Sequence, residues 1–130
     1  MKTSANRLTS IDGWGDIQVI VDVPQISPVH DIDVAGCVTL RGGNTLPASL
    51  RDSLKVTLGT SSWGTARANL DAQGHFSFRN VRLEKNEPTC FYVSAGTEGH
   101  FARLEFYVTY DPEVLKQLLA SIALPENKPS

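Results

Sequence analysis

The chain has no strongly charged segment of either sign and no long apolar run. Its 130 residues carry 12 Lys and Arg against 14 Asp and Glu, which gives a formal net charge of -2. A general nucleic-acid-binding protein usually shows a basic patch or stripe, so this balance argues against a nucleic-acid partner. The apolar runs are far shorter than the roughly 20 residues that cross a bilayer, so no membrane span is expected.

Residues 1–13 lack both the apolar core of a signal peptide and any hydrophobic periodicity. We therefore expect a flexible lead-in over residues 1–13. Two locations stay open: the cytoplasm, if Met1 is the native start, or the extracellular space or cell surface, if the chain is a domain excised from a larger secreted protein.

Cysteine and histidine are scarce and scattered. Cys37 and Cys90 fit no zinc-binding spacing, because zinc sites need clustered Cys or His. Three alternatives stay open for them: free thiols packed as small apolar groups, a disulfide, or a catalytic thiol. The histidines lie far apart, and a metal site would need His75 to converge with residues such as Asp71. No cofactor, metal or enzymatic activity is predicted.

The sequence is rich in short segments that alternate with a period of two. Residues 66–81 read as two strands joined by a turn, with Asp71 and Gly74 at the first and fourth places of the turn. Similar strands are predicted at residues 16–23, 31–40, 54–58, 90–95 and 101–110. Gly36 lies on the apolar face of its strand, where the missing side chain allows another backbone to come close or the strand to bend.

These segments predict an all-β fold for residues 14–110: a two-sheet antiparallel β-sandwich of about seven strands, transthyretin-like or Ig-like. No strand–helix–strand unit is present, which excludes a parallel α/β sheet. The residues predicted to fill the core are Val38, Val56, Leu58, Leu70, Phe76, Phe78, Phe91 and Val93.

A C-terminal helix is predicted over residues 111–124, followed by a tail over residues 125–130. Asp111 and Pro112 read as an N-cap followed by proline in the first helical position. Val114, Leu115, Leu118, Leu119 and Ile122 form an apolar stripe with helical period. Two interpretations stay open: the stripe packs on an open edge or end of the sandwich, which is favoured, or it faces a protein partner or a neighbouring domain. The apolar residues considered for partner contact are Leu115, Leu118, Leu119 and Ile122.

Several stretches together resemble the carboxypeptidase regulatory-like domain, over roughly residues 34–95. They are Gly36-Cys37-Val38, Leu46-Pro47-Ala48, Lys55-Val56-Thr57-Leu58, and Asp71 to Phe78 with the pattern Asp-x-x-Gly-x-Phe-x-Phe. The resemblance implies a transthyretin-like sandwich that acts as a non-catalytic accessory module, supporting a neighbouring domain or binding a protein or sometimes a sugar. Two departures are the missing Gly before the last family strand and Thr89 in place of the family tyrosine.

Trp14 and Trp63 each precede a glycine and lie in or near predicted loops. The favoured prediction is that they plug the open end of the core, and the alternative is that they stack on a sugar or anchor a protein interface. The sequence thus predicts a scaffold module for protein–protein contacts. The alternative is a carbohydrate-binding module that uses these loop tryptophans.

Overall fold

The computed structural model describes residues 6–61 and 64–126. In chain order, the strands are β1 (Asn6–Thr9), β2 (Asp12–Trp14), β3 (Ile17–Val23), β4 (Ile26–Ser27), β5 (Asp31–Leu40), β6 (Lys55–Thr60), β7 (Gly64–Ala68), β8 (His75–Arg82), β9 (Thr89–Thr97) and β10 (His100–Tyr110). The helices are α1 (Ala48–Ser53) and α2 (Pro112–Glu126).

The strands form two sheets that pack face to face as a sandwich. The first sheet has the order β1-β3-β5-β8 and the second has the order β2-β10-β9-β6-β7, with antiparallel neighbours throughout. The short strand β4 adds to β10 in parallel. The predicted all-β sandwich with a C-terminal helix is confirmed, with about ten strands rather than seven.

The additional strands lie where the sequence shows no alternation. The flexible lead-in was predicted over residues 1–13, but β1 pairs with β3 and β2 pairs with β10. Both are edge strands held by backbone hydrogen bonds, which form without an alternating apolar pattern. β4 lies between the strands predicted at residues 16–23 and 31–40. The helix α1 lies between the strands predicted at residues 31–40 and 54–58; it has no buried residue and is too short to show a helical period.

The core lies between the two sheets. All the predicted core residues are buried except Leu70, which follows the end of β7 and is half-buried at the rim. At the centre, the rings of Phe91 and Phe106 stack with centroids 5.1 Å apart and planes 6° from parallel. The strands β9 and β10 therefore carry Phe91 and Phe106 into the core side by side.

A disulfide between the cysteines is excluded by the fold, because both are free thiols in different sheets. Cys37 is next to the buried Val38 on β5, and Cys90 is next to the buried Phe91 on β9. Since successive side chains of a strand point to opposite faces, both thiols lie on outer faces with the core between them. The prediction of two unbonded thiols is the one that agrees with the structure.

The predicted turn from Asp71 to Gly74 is confirmed. The backbone N–H of Gly74 donates to the carbonyl oxygen of Asp71 at 3.0 Å, and Oδ1 of Asp71 accepts from the N–H groups of Gln73 and His75. These hydrogen bonds lower the pKa of Asp71, led by the one from His75. Gly74 leaves the turn with φ of +82°, a conformation that glycine adopts without strain.

Replacing Gly74 by valine should destabilise the domain by about 1–3 kcal/mol, the usual cost of a non-glycine residue held at such a dihedral angle. Its Cβ would also lie 3.0 Å from the carbonyl oxygen of Val38. Gly74→Asn is the matched control, because asparagine tolerates positive φ better than valine. Urea unfolding of the two variants measures the difference, and equal midpoints would contradict the strain argument.

Candidate functional site

The helix α2 begins directly after the last strand and lies against β4. The backbone N–H of Asp111 donates to the carbonyl oxygen of Ser27 at 2.8 Å, and Oδ1 of Asp111 accepts from the N–H of Glu113 at 3.0 Å. The predicted N-cap is therefore present. These contacts place the first turn of α2 beside the outer edge of β4.

The apolar stripe of α2 is not covered by the sandwich over its described side chains. Val114 is half-buried, whereas Leu115 is 40% exposed and Leu119 is 56% exposed. The favoured prediction, that this stripe packs on the sandwich, is therefore wrong for Leu115 and Leu119. The side chains of Leu118 and Ile122 lie outside the described part of the chain.

Two further exposed apolar side chains come from β4 and the turn after it: Ile26 is 47% exposed and Val29 is 49% exposed. Val29 is held in place by Ser27, whose hydroxyl donates to the Val29 carbonyl oxygen at 2.8 Å and accepts from its N–H at 3.2 Å. We call Ile26, Val29, Leu115 and Leu119 the end patch, because they come from adjacent elements at one end of the sandwich.

A second surface lies on the outer face of the second sheet. Trp14 on β2 is opposite Phe101 on β10, and their rings stack with centroids 4.8 Å apart and planes 25° from parallel. Trp14 is 61% exposed, so the prediction that it plugs the core is wrong. It cannot plug an end of the core because β2 holds it on the outside of the sheet. Trp63 lies outside the described residues.

Charged side chains flank this aromatic pair along β10. Arg103 is opposite Asp12 of β2, and its Nη2 lies 3.8 Å from Oε1 of Glu105. The guanidinium carbon of Arg103 lies 5.5 Å from the ring centroid of Tyr92. We call Asp12, Trp14, Phe101, Arg103 and Glu105 the β10 strip.

The far end of this face carries two phenols around a thiol. Sγ of Cys90 donates to Oε2 of Glu105 at 3.3 Å. Hydrogen bonding with the Cys90 side chain raises the pKa of Tyr92 and of Tyr107. A recess of about 250 Å³ opens at the edge of the strip, lined by Leu8, Thr9, Ile11, Asp12, Arg103, Leu104 and Glu105.

A third surface is a hollow of about 570 Å³ on the outer face of the first sheet. Cys37 and His75 are direct partners across β5 and β8, and Nδ1 of His75 lies 4.0 Å from Oδ2 of Asp71. The order Cys–His–Asp resembles that of a thiol nucleophile with its base. However, burial raises the pKa of Cys37, which disfavours the thiolate that such a nucleophile needs. The 4.0 Å between the His75 imidazole and the Asp71 carboxylate also exceeds hydrogen-bond distance.

Within residues 6–61 and 64–126, no three Cys, His, Asp or Glu side chains are placed to hold a metal ion. In the same ranges, no helix has the length and apolar character needed to cross a membrane. His75 and Asp71 do approach each other, but the Asp71 carboxylate is engaged by backbone donors of its own turn.

The comparisons with known proteins gave no match: no family model, no curated protein and no solved structure is similar to this chain. The resemblance to the carboxypeptidase regulatory-like domain stays a prediction. What the structure defines is the class, a two-sheet antiparallel β-sandwich with a terminal helix.

Trp14 was predicted from the sequence as a candidate contact residue, whereas the charged residues beside it were not. The alternating pattern of β10 could have indicated Arg103 and Glu105, because the outward positions Phe101, Arg103, Glu105 and Tyr107 alternate with buried residues. No such pattern indicates Asp12, because nothing in the sequence shows that β2 pairs with a strand about 90 residues later.

Proposed function

We propose that this chain is a non-catalytic accessory module that binds a protein partner through the end patch. The observation that carries the proposal is the exposure of Leu115 and Leu119 on α2. The main contact of this helix with the sandwich is with the short strand β4. An isolated helix of 15 residues is marginal in water, so α2 gains stability when its apolar stripe is covered.

The neighbouring residues support an interface at this place. Ile26 and Val29 extend the apolar area beyond the helix, and Ser27 fixes the turn that presents Val29. The rim of α2 is polar, with Lys116 Nζ 3.4 Å from Glu113 Oε2. An apolar centre with a polar rim is the usual arrangement of a protein–protein interface.

The proposal that the module is not catalytic is supported by the chemistry of the Cys37 hollow. A raised thiol pKa leaves Cys37 mostly protonated near neutral pH. The alternative role for this hollow, nucleophilic catalysis, would need an activated thiolate and a base within hydrogen-bond reach.

Removing residues 111–130 tests the proposal. With no partner present, we expect the intact chain to self-associate weakly through the end patch, and the chain ending at Tyr110 to remain folded and monomeric. Sedimentation velocity over a range of concentrations measures association, and thermal unfolding measures stability. A truncated chain that loses stability while association is unchanged would assign α2 to the fold and contradict the proposal.

Point variants separate the stripe from the rest of the helix. Leu119→Gln should abolish self-association and change the free energy of unfolding by less than about 0.5 kcal/mol, as exposed substitutions do. Gln117→Ala, on the same helix and also exposed, is the matched control and should associate like the parent. Equal loss of association in both variants would show that the stripe is not the contact.

A further inference from the structure

The β10 strip combines an uncovered aromatic ring with a row of hydrogen-bonding groups. The outward positions of this part of β10 are Phe101, Arg103 and Glu105. Successive outward positions are about 7 Å apart, so the strip is about 13 Å long. Trp14 and Asp12 accompany them on β2, opposite Phe101 and Arg103. The strip therefore runs from an aromatic end at Trp14 to an acidic end at Glu105.

The aromatic end is held rigidly. One face of the Trp14 indole stacks on Phe101, and Phe101 in turn lies over Gly96, with its Cδ1 3.1 Å from where a Cβ of Gly96 would be. Trp14 is nevertheless 61% exposed, so the stack on Phe101 leaves much of the indole open to solvent. A fixed ring that is open to solvent is suited to a flat apolar ligand surface.

The polar part of the strip can both accept and donate hydrogen bonds. The Asp12 carboxylate has no hydrogen-bond or ion-pair partner among the described residues, and Glu105 contacts Arg103 at 3.8 Å and Cys90 at 3.3 Å. Carboxylates accept from hydroxyl groups, and the guanidinium of Arg103 donates to hydroxyl and ring oxygens. The strip thus offers both kinds of partner that a polyhydroxylated ligand needs.

We propose that the β10 strip binds a neutral β-linked oligosaccharide, with one sugar ring stacked on Trp14 and its neighbours hydrogen-bonded to Asp12, Arg103 and Glu105. The C–H groups on one face of such a sugar form the flat apolar surface that an indole ring accepts. A strip of about 13 Å suits several linked rings rather than one. A recess of about 250 Å³ borders Asp12, Arg103 and Glu105, so the polar part of the strip has room for a bound sugar ring.

The charges of the strip select among possible ligands. Two carboxylates against one guanidinium leave a net negative charge, which disfavours nucleic acids and acidic glycans. Trp14 is 61% exposed on the outer face of the sheet, whereas a protein anchor residue usually enters a well-packed pocket. A neutral ligand rich in hydroxyl groups complements this surface best, and its site is separate from the end patch, so the two proposals can fail independently.

Isothermal titration with cellohexaose, xylohexaose and mannohexaose tests the proposal on the full chain. At least one of these probes should bind, and Trp14→Ala should weaken binding by about tenfold or more, which corresponds to 1.4 kcal/mol. Glu105→Gln removes a charge but keeps the shape and should weaken the same binding by a smaller factor. Gln117→Ala, an exposed position of α2 outside both surfaces, is the control and should bind like the parent.

Fluorescence gives an independent readout that does not depend on the stability of the Trp14→Ala variant. In a Trp63→Phe background, Trp14 is the only tryptophan, and its emission should shift to shorter wavelength when the bound probe displaces water from the ring. Several results would overturn the proposal: none of the three probes binds, only acidic glycans bind, binding is lost in Trp63→Phe, or it survives Trp14→Ala unchanged.

Discussion

Replacing Phe91 by alanine should lower the free energy of unfolding by about 3–5 kcal/mol, the range found when a buried phenylalanine is truncated. Phe91 has no exposed surface and stacks on Phe106 at the centre of the sandwich. Its removal leaves a cavity between two sheets whose backbones are fixed by their own hydrogen bonds, so the walls relax only in part. Denaturant unfolding followed by circular dichroism measures the effect.

Tyr107→Ala is the matched control for this variant. Tyr107 is also aromatic and lies next in sequence to Phe106, but it is 55% exposed on the outer face of the same sheet. We expect a loss of less than about 1 kcal/mol, in the range of exposed substitutions. If the control costs as much as Phe91→Ala, the assignment of inner and outer faces in β9 and β10 is wrong.

Adding a single methyl group at Gly36 should destabilise the domain by about 3 kcal/mol, at the upper end of the range for overpacking. A Cβ at this position would lie 2.0 Å from the carbonyl oxygen of Ile20 and 2.9 Å from Cζ of Phe76. The first neighbour is backbone of β3, which cannot rotate away as a side chain can. The Gly36→Ala variant therefore has to separate β5 from β3 locally.

Gly59→Ala provides the control for Gly36→Ala. Gly59 also lies within a strand, but a Cβ there would meet only side-chain atoms of Thr65 and Tyr92 at 3.6 Å, which is ordinary van der Waals contact. This variant should be neutral or slightly stabilising, because alanine loses less backbone entropy than glycine on folding. Equal destabilisation by both substitutions would refute the close approach at Gly36 as the cause.

The part of the fold that follows from local pattern was predictable from the sequence. In β5, the alternation of Ile32, Val34 and Val38 with polar or small residues assigns the inner face, and Gly36 was correctly expected to admit a close backbone. The turn at Asp71 was predictable because its side chain makes the turn hydrogen bonds within four residues. Local chemistry decides these features before the sheets assemble.

Features that depend on which strands become neighbours were not predictable. Whether Cys37 and Cys90 can bond depends on the sheet to which each strand belongs, and no periodicity specifies that. The strands β1 and β2 are short and polar, so they show no strand signal of their own. They form because the edges of β3 and β10 offer unpaired backbone groups.

In the candidate surfaces too, local pattern was predictable from the sequence, whereas the placement of one element against another was not. The apolar period of α2 predicted a helix, but the exposure of Leu115 and Leu119 depends on the direction in which the helix leaves β10. Trp14 was recognised as a candidate, whereas its acidic neighbours Asp12 and Glu105 are brought near it only by the pairing of β2 with β10.

The position of β10 in the second sheet has a consequence for the order in which a growing chain can fold on the ribosome. β10 is the last strand, yet it pairs with β2 and β4 as well as with β9. The first sheet can assemble once β8 has been synthesised, but its inner apolar face stays uncovered at one end until residue 110 emerges. During that interval, β2 and β4 have no partner and the nascent chain exposes apolar surface, which is the condition that favours chaperone binding.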